Sequence, residues 1–125
     1  MSRTAVIIED EPAVALLEKR ILARLGFQAT HTTCPEKGFE LAADQGPELI
    51  LLDVMLGEKS GFDLARRLKS DPRTQKIPII YVTAKDESEA MAEGFASGGL
   101  VYLTKPFSEK NLETSIQAVL ACETD

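Results

Sequence analysis

Glu48-Leu49-Ile50-Leu51-Leu52-Asp53 sets four large apolar residues in a row between two carboxylates. An apolar run of this kind suits a strand covered on both faces, as in the middle of a parallel sheet. In open α/β sheets, ligands gather at the carboxyl ends of such strands. Asp53 is therefore an acid presented by a rigid strand. Taken alone it reads equally well as the polar end of that strand. Other residues answer it: Glu9-Asp10-Glu11 closes the first apolar run of the chain, and Thr83 and Lys105 close the last two.

Working outward, Ala5 to Ile8 reads as the first strand, and Pro12 suits the first turn of the helix after it. That helix ends at Gly26 and is expected to bury Val14, Leu17, Ile21 and Leu25, spaced along one face. Phe27 to Thr33 alternates and predicts a half-exposed edge strand. Pro35 starts a second helix carrying Phe39, Leu41, Ala42 and Ala43, with a weak apolar face, broken by Gly46-Pro47. Beyond Asp53, Val54 to Gly61 reads as a loop, and a third helix from Phe62 to Ser70 packs Phe62, Ala65 and Leu68. Ile77 to Thr83 is the fourth strand. The fourth helix opens at Asp86-Glu87-Ser88-Glu89 and ends between Gly94 and Gly99. Its glycines each lower helical propensity by about 1 kcal/mol, which marks an element able to shift or fray. Leu100 to Thr104 is the fifth strand, and Ser108 caps a last helix bearing Leu112, Ile116, Val119 and Leu120. Five strands alternating with five helices predict an α/β fold: a doubly wound, five-stranded parallel sheet with helices on both faces. One domain over residues 1–125 is expected, with its structured core at 4–121.

A net charge of -6 disfavours a chain that grips nucleic acid or anionic lipid by itself. The two cysteines, Cys34 and Cys122, lack a CxxC spacing, so neither a zinc site nor a redox motif is indicated. The absence of a signal-peptide pattern or a long apolar span predicts a cytoplasmic location and no membrane contact. His31, the only histidine, is expected on the edge strand away from the rim, in a structural or exposed role.

Carboxylates converging on one rim repel by roughly 4 kcal/mol per pair at about 4 Å and an effective dielectric near 20. A hard divalent cation with oxygen ligands, Mg²⁺ or Mn²⁺, offsets this. Lys105 adds a fixed positive charge, and the Thr83 hydroxyl can donate to an anion. Together these parts make a device for accepting a phosphoryl group. Each has a plain structural reading too. Glu9 and Asp10 suit the dipole of the first helix, Thr83 suits a strand end, and Lys105 suits an exposed surface.

Four motifs, Val6-Ile7-Ile8-Glu9-Asp10-Glu11-Pro12, Leu51-Leu52-Asp53-Val54-Met55-Leu56, Ile79-Ile80-Tyr81-Val82-Thr83-Ala84 and Tyr102-Leu103-Thr104-Lys105-Pro106-Phe107, carry a family resemblance over essentially the whole chain. Together they resemble the receiver domain of bacterial two-component response regulators. The resemblance implies a flavodoxin-like sheet of order 2-1-3-4-5. It implies Asp53 as phosphoacceptor, and a metal site of Glu9, Asp10, Asp53 and the main-chain carbonyl of Met55. Thr83 and Lys105 would contact the phosphoryl oxygens, and the Lys105-Pro106 bond would be cis. Thr83 and Tyr102 would form the switch that reshapes the surface of the fourth helix, fifth strand and fifth helix. Met55 and Lys85 would tune dephosphorylation.

The implied partners are a sensor histidine kinase or histidine phosphotransfer protein, and either a downstream protein target or an effector domain outside this chain. The resemblance fits a monomer or a weak phosphorylation-dependent dimer. Such a protein is a signalling receiver that catalyses only its own phosphorylation and dephosphorylation. Three departures stand out: Glu9 for the more frequent aspartate, Gly57 where proline is usual, and Gly99-Leu100-Val101 where small and acidic residues are frequent. A flavodoxin-like cofactor binder would need a Ser/Thr/Gly-rich loop in place of Glu9-Asp10-Glu11-Pro12. A haloacid-dehalogenase-type phosphatase, or a nuclease or primase centre, would need a second acid at position 55, which is Met. A receiver-like interaction module acting without phosphorylation remains the alternative.

Overall fold

The structure is a computed structural model that describes residues 3–122. In chain order its elements are β1 (Arg3–Ile8), α1 (Pro12–Arg24), β2 (Phe27–Thr32), α2 (Pro35–Gln45), β3 (Leu49–Leu52), β4 (Met55–Leu56), β5 (Lys59–Ser60), α3 (Gly61–Ser70), β6 (Ile79–Thr83), α4 (Ser88–Ala96), β7 (Val101–Thr104) and α5 (Glu109–Cys122). Five of the strands form one sheet in the order β2-β1-β3-β6-β7, with every pairing parallel. Counted along the chain as the first to fifth strands of that sheet, this is the 2-1-3-4-5 order of the doubly wound fold.

The apolar run at Leu49–Leu52 forms the middle strand and is buried throughout. Successive side chains of a strand point to opposite faces, so each strand feeds two cores. Ile50 and Leu52 join Val6, Ile8, Ile79 and Tyr81 on the face covered by Phe39, Phe62, Ala65 and Leu68 from α2 and α3. Leu49 and Leu51 join Ala5, Ile7, Ile80 and Val82 on the face covered by α1 and α5. Ser60 caps α3 by accepting the N–H of Phe62 at 3.1 Å. Ser108 likewise accepts the N–H of Asn111 at the start of α5, 3.0 Å away.

The structure corrects the expected pattern in three places. The stretch after Asp53 is not simply a loop: β4 and β5 pair as a two-residue antiparallel ladder, turned at Gly57 with φ +63. A left-handed turn residue is what glycine permits and the more usual proline forbids. The buried stripe of α1 is Ala15, Glu18, Ile21 and Leu22. Val14, Leu17 and Leu25 are half-buried at its border, because the small Ala15 faces the sheet directly and the larger side chains flank it. In β2 only Phe27 is fully buried, and four of the five residues after it are half-buried instead of alternating, since helices lie over both sides of this edge. Among the described residues, no helix is long and apolar enough to cross a membrane.

Candidate functional site

The parallel register places Ile8 opposite Leu52. The next residues, Glu9 and Asp53, therefore leave the sheet side by side, and the Asp53 N–H donates to the Ile8 carbonyl at 2.9 Å. Glu9 is 1% exposed and Asp53 4%. Thr83 is fully buried at the end of β6, and its carbonyl accepts the Lys105 N–H at 2.8 Å. That bond brings the lysine back over the rim. Its Nζ donates to Glu9 Oε2 at 2.9 Å, Glu11 Oε1 at 2.6 Å and Asp53 Oδ2 at 3.1 Å. The other Asp53 oxygen accepts the Met55 N–H at 3.0 Å. The Thr83 hydroxyl accepts the Lys85 N–H at 3.3 Å. The Lys105-Pro106 peptide bond is cis.

One ammonium thus answers three carboxylates. Burial pushes the Glu9 carboxyl up to about 7; the Lys105 hydrogen bond opposes this and nearby Asp53 reinforces it. Burial works against the Lys105 charge, but its bonds to Glu11, Glu9 and Asp53 outweigh that and raise its pKa overall. Glu9 Oε1 is buried with no hydrogen-bond partner. An orphaned buried carboxylate oxygen is costly unless a proton or cation satisfies it. Oxygens of Glu9, Glu11 and Asp53 lie within 4.8 Å of one another. An all-oxygen, anionic donor set suits a hard divalent cation such as Mg²⁺ or Mn²⁺. The residues present fit that group.

Among the expected site residues, Glu9, Asp53 and Lys105 are in direct contact, while Thr83 and Met55 join through main-chain bonds. Asp10 is exposed and lies outside the carboxylate group, whereas Glu11 lies inside it. A period-two reading carried past the end of β1 would have paired Glu9 with Glu11, since alternate residues of an extended chain share a side. Tyr102 is half-buried, with its hydroxyl donating to the Lys85 carbonyl at 2.6 Å. Its ring lies 5.7 Å from Tyr81 and 6.5 Å from Phe95. Tyr81 is fully buried and shares a 2.7 Å hydrogen bond with Ser97, which donates in turn to the Gly94 carbonyl at 3.0 Å.

Two polar residues stand where the sequence did not put them. His31 is not remote from the rim: its Nε2 lies 2.7 Å from the main-chain oxygen of Glu9. Its place near the carboxyl end of the edge strand puts it within reach of the loop that follows β1. Glu18 is buried under the sheet's rim with Oε1 unpartnered, and burial pushes it up to about 9, reinforced by the charge of Glu9.

Residues 5–117 match the response regulator receiver domain. Over 120 residues the chain is 38% identical to the phosphate regulon transcriptional regulatory protein PhoB of Pseudomonas aeruginosa, covering 96% of this chain and 52% of that protein. Over 115 residues it is 36% identical to the DNA-binding dual master transcriptional regulator RpaA of Synechocystis, covering 92% of this chain and 48% of that one. The chain thus spans about half the length of these relatives. Among solved structures, the receiver domain of a sensor histidine kinase from Pseudomonas aeruginosa superposes with a TM-score of 0.86 at 23% identity, covering 97% of this chain and 99% of that one. In that crystal a magnesium ion is coordinated in the active-site cleft.

Proposed function

This chain belongs to the response regulator receiver domain family, and we propose that Asp53 takes a phosphoryl group from a phosphohistidine on a sensor histidine kinase or histidine phosphotransfer protein. The observation that carries this reading is the buried Asp53 carboxylate held between the Lys105 ammonium and the Met55 N–H. Those two donors hold the nucleophile in one orientation, which is what an in-line displacement needs. An Asp53 oxygen forms the new bond to phosphorus as the phosphorus–nitrogen bond of the donor breaks. The electron pair stays on the leaving imidazole, which takes its proton from water. Lys105 and the Thr83 hydroxyl then face the phosphoryl oxygens, and Lys105 exchanges carboxylate partners for them. Residues 1–125 form a single receiver domain in this reading, acting on its own phosphorylation and dephosphorylation only.

Mg²⁺ or Mn²⁺ would be held by Glu9, Asp53, the main-chain carbonyl of Met55 and one further acid of the triplet. That acid is Asp10 by the family motif and Glu11 by the geometry. When bound, the ion neutralises charge on the phosphoryl oxygens. The magnesium in the cleft of the Pseudomonas kinase receiver supports the assignment.

Phosphorylation would bias Thr83 and Tyr102 toward one arrangement and so reshape the α4–β7–α5 surface, a population shift in a pre-existing equilibrium. Met55, whose N–H bonds Asp53, and Lys85, whose N–H bonds the Thr83 hydroxyl, would set the phosphoryl lifetime. The output is a protein target or an effector domain outside this chain, with the receiver as a monomer or weak phosphorylation-dependent dimer. Intact mass after incubation with acetyl phosphate and Mg²⁺ tests the proposal, with Asp53→Asn and a chelator control. Gain of one phosphoryl group, lost in both controls, is expected. No gain together with no cation binding would favour an interaction module that acts without phosphorylation.

A further inference from the structure

His31 stands on the edge strand β2, in register with Ile7 of β1. A carbonyl oxygen can only accept, so the His31 nitrogen 2.7 Å from the Glu9 oxygen is the one that carries hydrogen. The Glu9 N–H donates to the Thr32 carbonyl at 3.1 Å. Both main-chain polar groups of Glu9 are therefore engaged by β2. The oxygen has the larger consequence, because it belongs to the peptide that joins Glu9 to Asp10. A planar peptide moves as one body. Holding its oxygen sets the plane from which Asp10 departs, and with it the turn that returns Glu11 to Lys105 at 2.6 Å.

We propose that His31 is a positioning residue for the divalent-cation site, orienting the Glu9–Asp10 peptide so that Glu9 and Glu11 converge with Asp53. The inference rests on reading the rim as a cation and phosphoryl site. Groups that orient metal ligands from outside the coordination shell are typically worth 10- to 100-fold in metal affinity, and action through the main chain points to about tenfold. A hydrogen bond that served only to tie β2 to the loop would change folding stability and leave cation affinity unmoved.

The test is the Kd for Mg²⁺ and for Mn²⁺, by isothermal titration calorimetry on the full chain, for wild type, His31→Phe and His31→Gln. Circular dichroism and Tm are recorded for each. Phenylalanine keeps the ring and removes the donor, while glutamine carries an amide N–H to a similar reach. The expected result is Mg²⁺ binding about tenfold weaker in a folded His31→Phe and restored close to wild type in His31→Gln. Equal affinity in wild type and His31→Phe overturns the inference, whatever happens to Tm. If His31→Phe does not fold, His31→Asn replaces it: its amide is too short to reach, so affinity equal to His31→Gln overturns the inference and weaker affinity supports it. A wild type that binds neither cation overturns the cation-site reading itself and the inference with it, a result distinct from equal affinities.

Discussion

The acidic rim at the ends of β1 and β3 and the flank formed by α4 and β7 are close neighbours built in opposite ways. At the rim Glu9 and Asp53 are almost wholly buried, and one lysine is bonded to both of them and to the exposed Glu11 at once. On the flank β7 is half-buried along its length, α4 begins at Glu87 without a side-chain cap, and Phe95 and Leu100 are both 51% exposed. Tyr102 spans the two, with its ring against Tyr81 and its hydroxyl on the carbonyl of Lys85. Charge is held where the surroundings cannot relax, and the surface proposed to change shape is the one with few constraints. Elements that move in a switch are drawn from the low-stability parts of a fold.

If the rim is the tightly constrained region, removing its cation should give the largest effect. Lys105→Met leaves three carboxylates without their ammonium, and breaking a buried ion pair from one side costs about 3–5 kcal/mol. Urea unfolding without divalent cation should show that loss, and Mg²⁺ should recover much of it. Glu18 tests the same region from below. Its folded pKa, pushed up to about 9 from 4.5, means the folded state holds a proton that the unfolded chain releases between those values. Stability therefore falls as pH rises through that window, and the full contribution of Glu18 is present only below its unfolded pKa. The stability gained by Glu18→Leu over wild type should grow by about 3 kcal/mol between pH 5 and pH 7.

Effects on the flank should be smaller. A Cβ at Gly99 would fall 2.3 Å from Tyr81 Cε2, so Gly99→Ala forces the buried ring to shift and strains its bond to Ser97. Overpacking of this kind costs about 1–3 kcal/mol. A cost above that range in thermal unfolding would mean the flank is as constrained as the rim. Tyr102→Phe removes a single partly exposed hydrogen bond and should cost about 1 kcal/mol or less by the same measurement.

Much of this was legible in the sequence because it is local. Four apolar residues ending in Asp53 specify a buried strand and an acid at its end, and three similar strand ends specify the rim. Strand order followed from motifs, and cap residues such as Ser108 from helix starts. Glu11 in place of Asp10 was within reach of the alternation of an extended chain carried past β1. The rest of what escaped depends on geometry that no short pattern encodes. His31 meets Glu9 across a strand pair, 22 residues apart in sequence. Glu18 sits on the buried stripe of α1 because Ala15 turns that stripe toward the sheet, where a carboxylate would ordinarily be read as solvent-facing. The β4–β5 ladder needs the positive φ of Gly57, a conformation that a glycine permits but does not announce.

Chemistry at the rigid rim is proposed to act on the pliant α4–β7 flank. Backbone amide NMR of the ¹⁵N-labelled chain, with and without beryllofluoride and Mg²⁺, tests it most directly. The predicted result is a set of shifts at Asp53, Thr83 and Lys105 that continues through residues 90–102, and that is absent in Asp53→Asn. Shifts confined to the rim, or an equal response in Asp53→Asn, would contradict it.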